Sequence, residues 1–212
     1  MFLGIIQARL DSRRFPRKVL ADLCGKPLLW HVVEQTRKIK SLSGFVVATP
    51  DEEILRACPD MGVMGIRCTT RRDDVLGRFC EVLRIIPSEY VVRICADSPL
   101  LDPMAADELC AAATETNADY VGYAIDGSPA VLKPTGYFCE VAKAAALRIA
   151  DTMLVATAPE REHVTQRLYA QPGFRCHWLD VPEWWKQEAD QYLAVDTPAD
   201  LEMIRKMMEV MA

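Results

Sequence analysis

Short apolar runs alternate with longer segments of helical periodicity along the whole chain. Short runs rich in β-branched and aromatic residues are typical of strands, and apolar residues spaced by three and four indicate amphipathic helices. The predicted strands are residues 2–6, 45–48, 90–95, 120–123 and a short one at 192–195. The predicted helices are residues 28–39, 52–57, 75–86 and 104–114, one starting near Pro159, and a last one running towards Met211.

This alternation predicts βαβ units, and therefore an α/β fold with a mainly parallel sheet. The chain has 212 residues, which suits one well-packed domain and is short for two, so we predict a single domain over residues 1–212. Residues 124–138 are expected to leave the sheet, because glycine and proline recur there. The segment Thr197-Pro198-Ala199-Asp200 predicts a capped start for the last helix.

Composition narrows the range of partners and locations. Half of the residues are apolar, 26% are charged and the net charge is −5, so a nucleic-acid backbone would be repelled unless a basic face were strongly segregated. The eight cysteines are scattered without zinc-site spacing, which indicates reduced thiols. The apolar start is too short for a signal peptide, and no apolar run approaches the roughly 18 residues that span a bilayer. We therefore expect a cytoplasmic protein without nucleic-acid or membrane partners.

A basic loop, QARLDSRRFPRK at residues 7–18, follows the first predicted strand. Open α/β sheets bind ligands at the carboxyl ends of their strands, and arginine and lysine hold phosphate oxygens well. The loop could hold a nucleotide triphosphate, although it lacks the glycine-rich P-loop pattern. On charge alone, a solvated basic loop is an equally good interpretation.

The pattern Q-A-R-x-x-S-x-R-x-P-x-K at residues 7–18, followed by Gly25-Lys26-Pro27-Leu28-Leu29, resembles the nucleotide-binding signature of cytidylyltransferases that activate acidic sugars. That family includes the CMP-Kdo and CMP-sialic acid synthetases, and the nearest likeness is to the spore coat polysaccharide biosynthesis protein F group. The resemblance recurs in order at DDVLGR (73–78), RICADSPLLDP (93–103), PEREHVT (159–165) and VDTPADL (195–201).

The resemblance implies a nucleotide-diphospho-sugar-transferase-like α/β/α sandwich, GT-A or Rossmann-like, with a mixed, mainly parallel sheet. It also implies a Mg²⁺-dependent nucleotidyltransferase that moves CMP from CTP to a Kdo-like or sialic-acid-like acceptor and releases pyrophosphate. The reaction would serve polysaccharide or glycoconjugate biosynthesis, and the protein would be a homodimer.

The resemblance also implies roles for matched residues. Nucleotide binding falls to Gln7, Ala8, Arg9, Ser12, Arg14, Lys18, Lys26 and Asp74. Asp97 and Asp196 would hold Mg²⁺ and act in catalysis with Arg9 and Lys18, whereas Arg161 and His163 would bind the acceptor. Other interpretations are local: Asp97 could cap a turn, Asp196 could precede a helix cap, Asp74 could favour a helix dipole, and His163 could complete a packing network.

Departures from the family pattern concern mainly the acceptor. Asp11 stands where relatives often have glycine, and a carboxylate beside a triphosphate would reduce nucleotide affinity. Relatives tend to carry G-x-D-x-E-x-F near residues 132–138, and an alignment on Phe138 puts Pro134 and Gly136 where the acids would be. Trp184 and Trp185 suit either core packing or a stacking platform.

Two alternatives stay open on the sequence. One is a non-catalytic nucleotide-binding or scaffold protein of the same fold, and the other is a cytidylyltransferase with a non-sugar acceptor such as a phosphonate. The sequence leaves open the acceptor, the strictness for cytosine, the oligomeric state and the effect of Asp11, Pro134 and Gly136 on activity.

Overall fold

The computed structural model describes residues 1–133, 136–182, 185 and 193–211. Its strands are β1 (Phe2–Gln7), β2 (Asp22–Leu23), β3 (Lys26–Pro27), β4 (Leu42–Thr49), β5 (Met64–Arg67), β6 (Tyr90–Cys95), β7 (Tyr120–Ile125), β8 (Ser128–Pro129), β9 (Glu140–Lys143) and β10 (Cys176–Asp180). Its helices are α1 (Leu28–Arg37), α2 (Glu52–Ala57), α3 (Val75–Ile85), α4 (Pro103–Thr116), α5 (Ala144–Met153), α6 (Gln166–Ala170) and α7 (Pro198–Met211). Short 3-10 turns cover Lys18–Leu20, Pro59–Met61, Ala130–Leu132 and Pro159–His163.

The main sheet has the strand order β10-β7-β9-β6-β1-β4-β5 within the described ranges, and β8 pairs with β7. Strands β1, β4, β5 and β6 run parallel to their neighbours among themselves, as do β7 and β10. Strand β9 is antiparallel to both β6 and β7, between which it lies. The prediction of a mixed, mainly parallel sheet in an α/β fold is therefore confirmed.

Helices cover both faces of this sheet, because its central strands are apolar on both sides. Ile6 of β1 and Val92 of β6 face a core that includes Val33 of α1 and Leu109 of α4. The alternate residues of the same strands, such as Ile5 and Val91, pack with α3 and α5 in a second core. No helix in the described part of the chain is both long and apolar enough to cross a membrane.

The strands and helices predicted in the first two thirds of the chain are confirmed, with ends that differ by a few residues. Two later predictions are wrong. The helix expected near Pro159 is a 3-10 turn, which ends at His163. Residues 193–195 belong to no strand, and Tyr192 lies outside the described residues. Leu193 and Val195 are nevertheless fully buried, so their apolar pattern reflects packing in the core and not membership of a strand.

The irregular stretch begins later than expected, because β7 continues to Ile125. A turn with positive φ at Asp126 and Gly127 reverses the chain into β8, and a 3-10 turn follows. Pro134 lies outside the described residues. Val131 and Lys133 of this excursion border a cleft that also contacts Cys95 at the carboxyl end of β6.

The start of α7 follows the prediction. Thr197 Oγ1 accepts a hydrogen bond from the backbone N–H of Asp200 (3.3 Å), and Asp200 Oδ2 accepts one from the N–H of Thr197 (2.7 Å). The same carboxylate accepts the N–H of Asp196 (3.0 Å). This reciprocal cap fixes the backbone that carries Asp196.

Candidate active site

A cleft of about 800 Å³ opens at the carboxyl ends of β1 and β6. This size suits a nucleotide with part of a second substrate. Six of the residues expected to bind nucleotide border it, together with both carboxylates expected to hold metal and with His163. They are Gln7, Ala8, Arg9, Ser12, Arg14, Lys18, Asp97, Asp196 and His163.

The basic loop turns back on itself beside the cleft. The N–H of Arg17 donates to the carbonyl of Leu10 (2.7 Å), which closes the loop, and Arg17 adopts φ +63°. A left-handed conformation is uncommon for a residue with a side chain. The 3-10 turn that follows starts at Lys18 and directs its side chain inwards. The loop geometry therefore brings Lys18 to the sheet edge.

Lys18 lies between the two expected metal ligands. Its Nζ is 2.7 Å from Asp97 Oδ2, 2.7 Å from the carbonyl oxygen of Val195 and 3.0 Å from Asp196 Oδ1. Burial alone would lower the pKa of Lys18, but the charges and hydrogen bonds of Asp97 and Asp196 outweigh that effect and raise it. The N–H of Val195 donates to the carbonyl of Asp97 (2.8 Å), and this bond holds the segments that carry Asp97 and Asp196 side by side.

Arg9 and Arg14 of the loop are paired as well. Arg14 Nη2 lies 2.7 Å from Asp196 Oδ2, and Arg9 Nη2 lies 2.7 Å from Glu162 Oε1. Asp11 is 3.6 Å from Arg9 and 3.5 Å from Arg72, so two arginines share its charge. Because arginines surround it, the carboxylate of Asp11 adds less repulsion towards a triphosphate than an unpaired one would.

The structure adds cationic residues that the sequence did not single out for a role. Arg72, Arg78 and Arg93 all border the cleft. Arg78 is only 1% exposed, and its Nε has no hydrogen-bond partner within the described chain. Burial is the main cause that lowers the pKa of its guanidinium. The signal was present in the sequence, since Arg78 ends the DDVLGR motif and Arg93 begins the next one.

Three residues expected at the site do not border the cleft. Lys26 lies in the small β2–β3 ladder with its Nζ 5.6 Å from the ring centre of Trp30. Asp74 caps α3 through the N–H of Gly77 (2.9 Å) and forms a two-bond ion pair with Arg161 (2.8 and 3.1 Å). Arg161 also contacts Asp151 at 2.5 Å. In this arrangement Arg161 and Asp74 tie α3 to the segment that carries His163.

A buried ion pair lies beneath the cleft. Arg93 of β6 contacts Glu140, its register partner in β9, and its Nε donates to Gln7 Oε1 (3.3 Å). Glu140 also accepts hydrogen bonds from Tyr120 (2.8 Å) and Thr165 (2.7 Å). Its two oxygens are thereby shared among three donors. The carboxylate of Glu140 compensates the charge of Arg93, so this part of the cleft floor has no net charge.

Glu140 changes the alignment of the family pattern. Gly136 has φ +72°, and a Cβ there would lie 2.4 Å from the backbone of Leu193, so only glycine fits. When G-x-D-x-E-x-F is aligned on Gly136 instead of Phe138, its glutamate falls on Glu140. Phe138, which borders the cleft, then replaces the aspartate. On this alignment, one of the two acids that the Phe138 alignment removes is present.

A side chamber of about 240 Å³ adjoins the cleft. It is bordered by Arg93, Val131, Leu132, His163, Gln166 and Tyr169. His163 precedes Val164, whose φ of 48° and ψ of −63° form a strained γ-turn with a 2.5 Å bond from Thr165 N–H to the carbonyl of His163. Such strain occurs most often at functional sites. This turn lets His163 border the side chamber while Thr165 donates a hydrogen bond to Glu140.

Trp185 belongs to an aromatic cluster behind the cleft. Its ring centre lies 4.2 Å from that of Phe138 and 5.5 Å from those of Tyr137 and Tyr123, and it is 3% exposed. These contacts favour the interpretation of Trp185 as core packing. Trp184 lies outside the described residues.

The converging carboxylates fit a divalent metal ion. Asp97 and Asp196 already direct oxygens at one cation, the ammonium of Lys18. Among the described residues no group of three acidic, histidine or cysteine side chains could hold a metal without help. Mg²⁺ commonly binds through one or two carboxylates plus substrate phosphates and water. The donor set therefore suits a metal that arrives with a nucleotide.

Comparisons with known proteins agree with this fold. The solved structure of CMP:2-keto-3-deoxy-manno-octonic acid synthetase complexed with CTP superimposes with a TM-score of 0.77 at 20% identity, covering 100% of this chain and 99% of that one. A cytidylyltransferase from Leptospira borgpetersenii superimposes with a TM-score of 0.82 at 20% identity, covering 99% and 87%. At this identity the likeness concerns the fold.

Sequence relatives are more specific. Spore coat polysaccharide biosynthesis protein SpsF of Bacillus subtilis is 32% identical over 217 residues, which covers 98% of this chain and 86% of that protein. The 3-deoxy-manno-octulosonate cytidylyltransferase of Geobacter sulfurreducens is 41% identical over 121 residues, or 56% of this chain and 48% of that protein. The chain thus matches about half the length of that relative. The cytidylyltransferase family profile matches residues 3–211, and the chain belongs to the cytidylyltransferase family.

Proposed function

We propose that this chain transfers CMP from CTP to an acidic sugar and releases pyrophosphate, in the synthesis of a polysaccharide or glycoconjugate. The observation that carries the proposal is the convergence of Lys18, Asp97 and Asp196 in a cationic cleft at the carboxyl ends of the strands. The relatives support it, since one is named for CMP transfer to 3-deoxy-manno-octulosonate and another for spore coat polysaccharide synthesis.

The donor half of the reaction depends on charge and position. Arg9, Arg14, Lys18 and Arg78 border the cleft and can exchange their present contacts for phosphate oxygens. They would hold the triphosphate so that the β- and γ-phosphates leave as pyrophosphate while an acceptor oxygen forms its bond to the α-phosphorus. Positioning and charge stabilisation supply most of the rate in such transfers.

Asp97 and Asp196 are the residues that would hold the divalent metal. A metal bound there would polarise the α-phosphate and lower the pKa of the attacking hydroxyl. Val195 and Asp97 share a backbone hydrogen bond, and Asp200 caps the N–H of Asp196, so both carboxylates start from fixed backbone. That preorganisation limits the rearrangement needed when substrates bind.

The acceptor half occupies the other end of the cleft in this proposal. His163 borders both the cleft and the side chamber, which supports a role for it at the point where the two substrates would meet. Because the charge of Glu140 balances that of Arg93, the side chamber favours neutral hydroxyl groups of the acceptor. The carboxylate of the acceptor would face the basic loop. Arg161, paired with Asp74 and Asp151, would act as a positioning residue for His163 rather than as a contact to the acceptor.

Nucleotide binding is the first test. We would measure the thermal midpoint with Mg²⁺ alone and with Mg²⁺ plus CTP, UTP, ATP or GTP. A ligand at a hundredfold excess over Kd stabilises the native state by about 2.7 kcal/mol. In a chain of this length that is a shift of about 5–10 °C.

We expect that shift with CTP, and a smaller one in Asp97→Asn. Equal shifts with all four nucleotides would contradict the choice of CTP. The absence of any shift would favour a scaffold protein whose basic loop contacts another partner.

A further inference from the structure

Lys18 occupies an oxygen-lined position that closely resembles a metal site. An ammonium group has three N–H donors, and those of Lys18 have three acceptors: Asp97 Oδ2, the carbonyl of Val195 and Asp196 Oδ1. The lysine side chain is only 10% exposed. No donor is left for a phosphate while these contacts last. The lysine expected to hold the triphosphate is therefore fully engaged before any nucleotide arrives.

The same oxygens are the ones a divalent ion would need. Mg²⁺ binds oxygen at about 2.0–2.1 Å. The ammonium of Lys18 stands 2.7–3.0 Å from one oxygen of each carboxylate, so a divalent ion could not bind these two oxygens while Lys18 stays in place. Charge gives the same answer. Within the described part of the chain, Asp97 and Asp196 are balanced by Lys18 and Arg14, and a divalent ion added to these four side chains would give them an excess of two positive charges.

A triphosphate removes this conflict, because it brings the negative charge that the group lacks. Lysine carries its charge on a flexible stem that can turn towards a new partner. Lys18 and Ser12 both border the cleft in which the phosphates would lie, so the ammonium need not leave the site. The two carboxylates would then be available to a metal.

We propose that Lys18 holds the metal position in the nucleotide-free protein and yields it to a divalent ion only when a triphosphate accepts its ammonium. The inference rests on the proposed metal role of Asp97 and Asp196. It makes Lys18 the element that couples metal binding to nucleotide binding. By linkage, the metal and the nucleotide each favour binding of the other by the same factor.

The test measures Mn²⁺ binding without nucleotide, by calorimetry and by electron paramagnetic resonance of free Mn²⁺. We expect Lys18→Met to bind Mn²⁺ at least about tenfold more tightly than the wild-type protein, within the usual range for such coupling. The added change Asp97→Asn should abolish the gain. Arg13→Met removes the same charge from the cleft lining without an ion pair to either carboxylate, so it should change affinity by no more than about threefold.

Two results would overturn the inference: wild-type protein that binds Mn²⁺ as tightly as Lys18→Met, or an equal gain in Arg13→Met. Circular dichroism checks that the variants fold. If Lys18→Met does not fold, the measurement is repeated with Lys18→Gln, whose amide can still donate a hydrogen bond to the carbonyl of Val195. Since no nucleotide is present, a failure here is distinct from a failure of CTP to bind, which would count against the proposed function itself.

Discussion

Arg161 gives the sharpest contrast between a positioning role and direct contact with the acceptor. Its guanidinium forms a two-bond pair with Asp74 (2.8 and 3.1 Å) and contacts Asp151 (2.5 Å). It also donates to the carbonyls of Asp151 and Leu154, both at 3.2 Å. Its side chain is 8% exposed, and those of Asp74 and Asp151 are 14% and 24% exposed. Arg161→Met would leave both carboxylates without this cation.

The size of the effect follows from that burial. Breaking a buried ion pair by removing one partner costs about 3–5 kcal/mol. Water reaches part of both carboxylates, so we expect the lower end, about 3 kcal/mol. For a chain of this length the thermal midpoint should fall by about 6–12 °C. The start of α3 should loosen as well, because Asp74 caps it.

Urea unfolding of Arg161→Met, Asp74→Asn and the double variant measures the pair directly. We expect a coupling energy of about 1–3 kcal/mol, as for residues in one buried network. In kinetics, Arg161→Met should raise the acceptor KM in the wild-type background, because His163 loses its support, and should raise it no further in the His163→Ala background. An equal rise of the acceptor KM in both backgrounds would refute the positioning role and make Arg161 a binding residue.

Three further outcomes can be checked with single variants. His163→Ala should raise the acceptor KM in steady-state kinetics and leave CTP affinity unchanged, because His163 borders the acceptor end. Glu162→Gln should tighten CTP binding by up to about fivefold in calorimetry, since it frees Arg9 from an exposed pair worth about 0.2–1 kcal/mol. Burial opposes the charge of Lys18, but its acidic partners raise its pKa above 10.5. The stability lost in Lys18→Met, measured in urea, should therefore be constant from about pH 7 to 9 and shrink above about pH 10.5.

The central strands could be predicted from the sequence because burial on both faces makes them continuous apolar runs. Strand β9 was not predicted because Glu140 interrupts its apolar pattern, although that acid is buried. Strand β10 was not predicted because it is half-buried at the edge of the sheet and its buried and exposed residues do not clearly alternate. The strand expected at 192–195 failed for the opposite reason: Leu193 and Val195 are buried in an irregular segment. An apolar pattern indicates that a segment is buried, but a buried segment need not be hydrogen-bonded into a sheet.

The meeting of Lys18 and Asp97 could be expected from the sequence, since the basic loop and Asp97 each follow a predicted strand and such ends meet at one sheet edge. Asp196 was expected there because of a strand that the structure lacks, and the hydrogen bond from the Val195 N–H to the carbonyl of Asp97 holds it there instead. The partners of Arg161 and Arg93 could not be expected, because these pairs join residues 87 and 47 positions apart. A single sequence carries no sign of which distant charges meet. Lys26 illustrates the converse case, since its motif suggested nucleotide contact but the side chain lies over Trp30, away from the cleft.

The most direct test follows the α-phosphate of the donor. Protein, Mg²⁺ and CTP labelled at the α-phosphorus would be incubated with 3-deoxy-manno-octulosonate, with a sialic acid and without acceptor, beside the Asp97→Asn variant. We expect label in a CMP–sugar product with one pyrophosphate released per transfer, dependent on an acidic sugar and lost in the variant. Intact CTP with every acidic sugar, from protein that binds CTP and Mg²⁺, would contradict the proposed transfer.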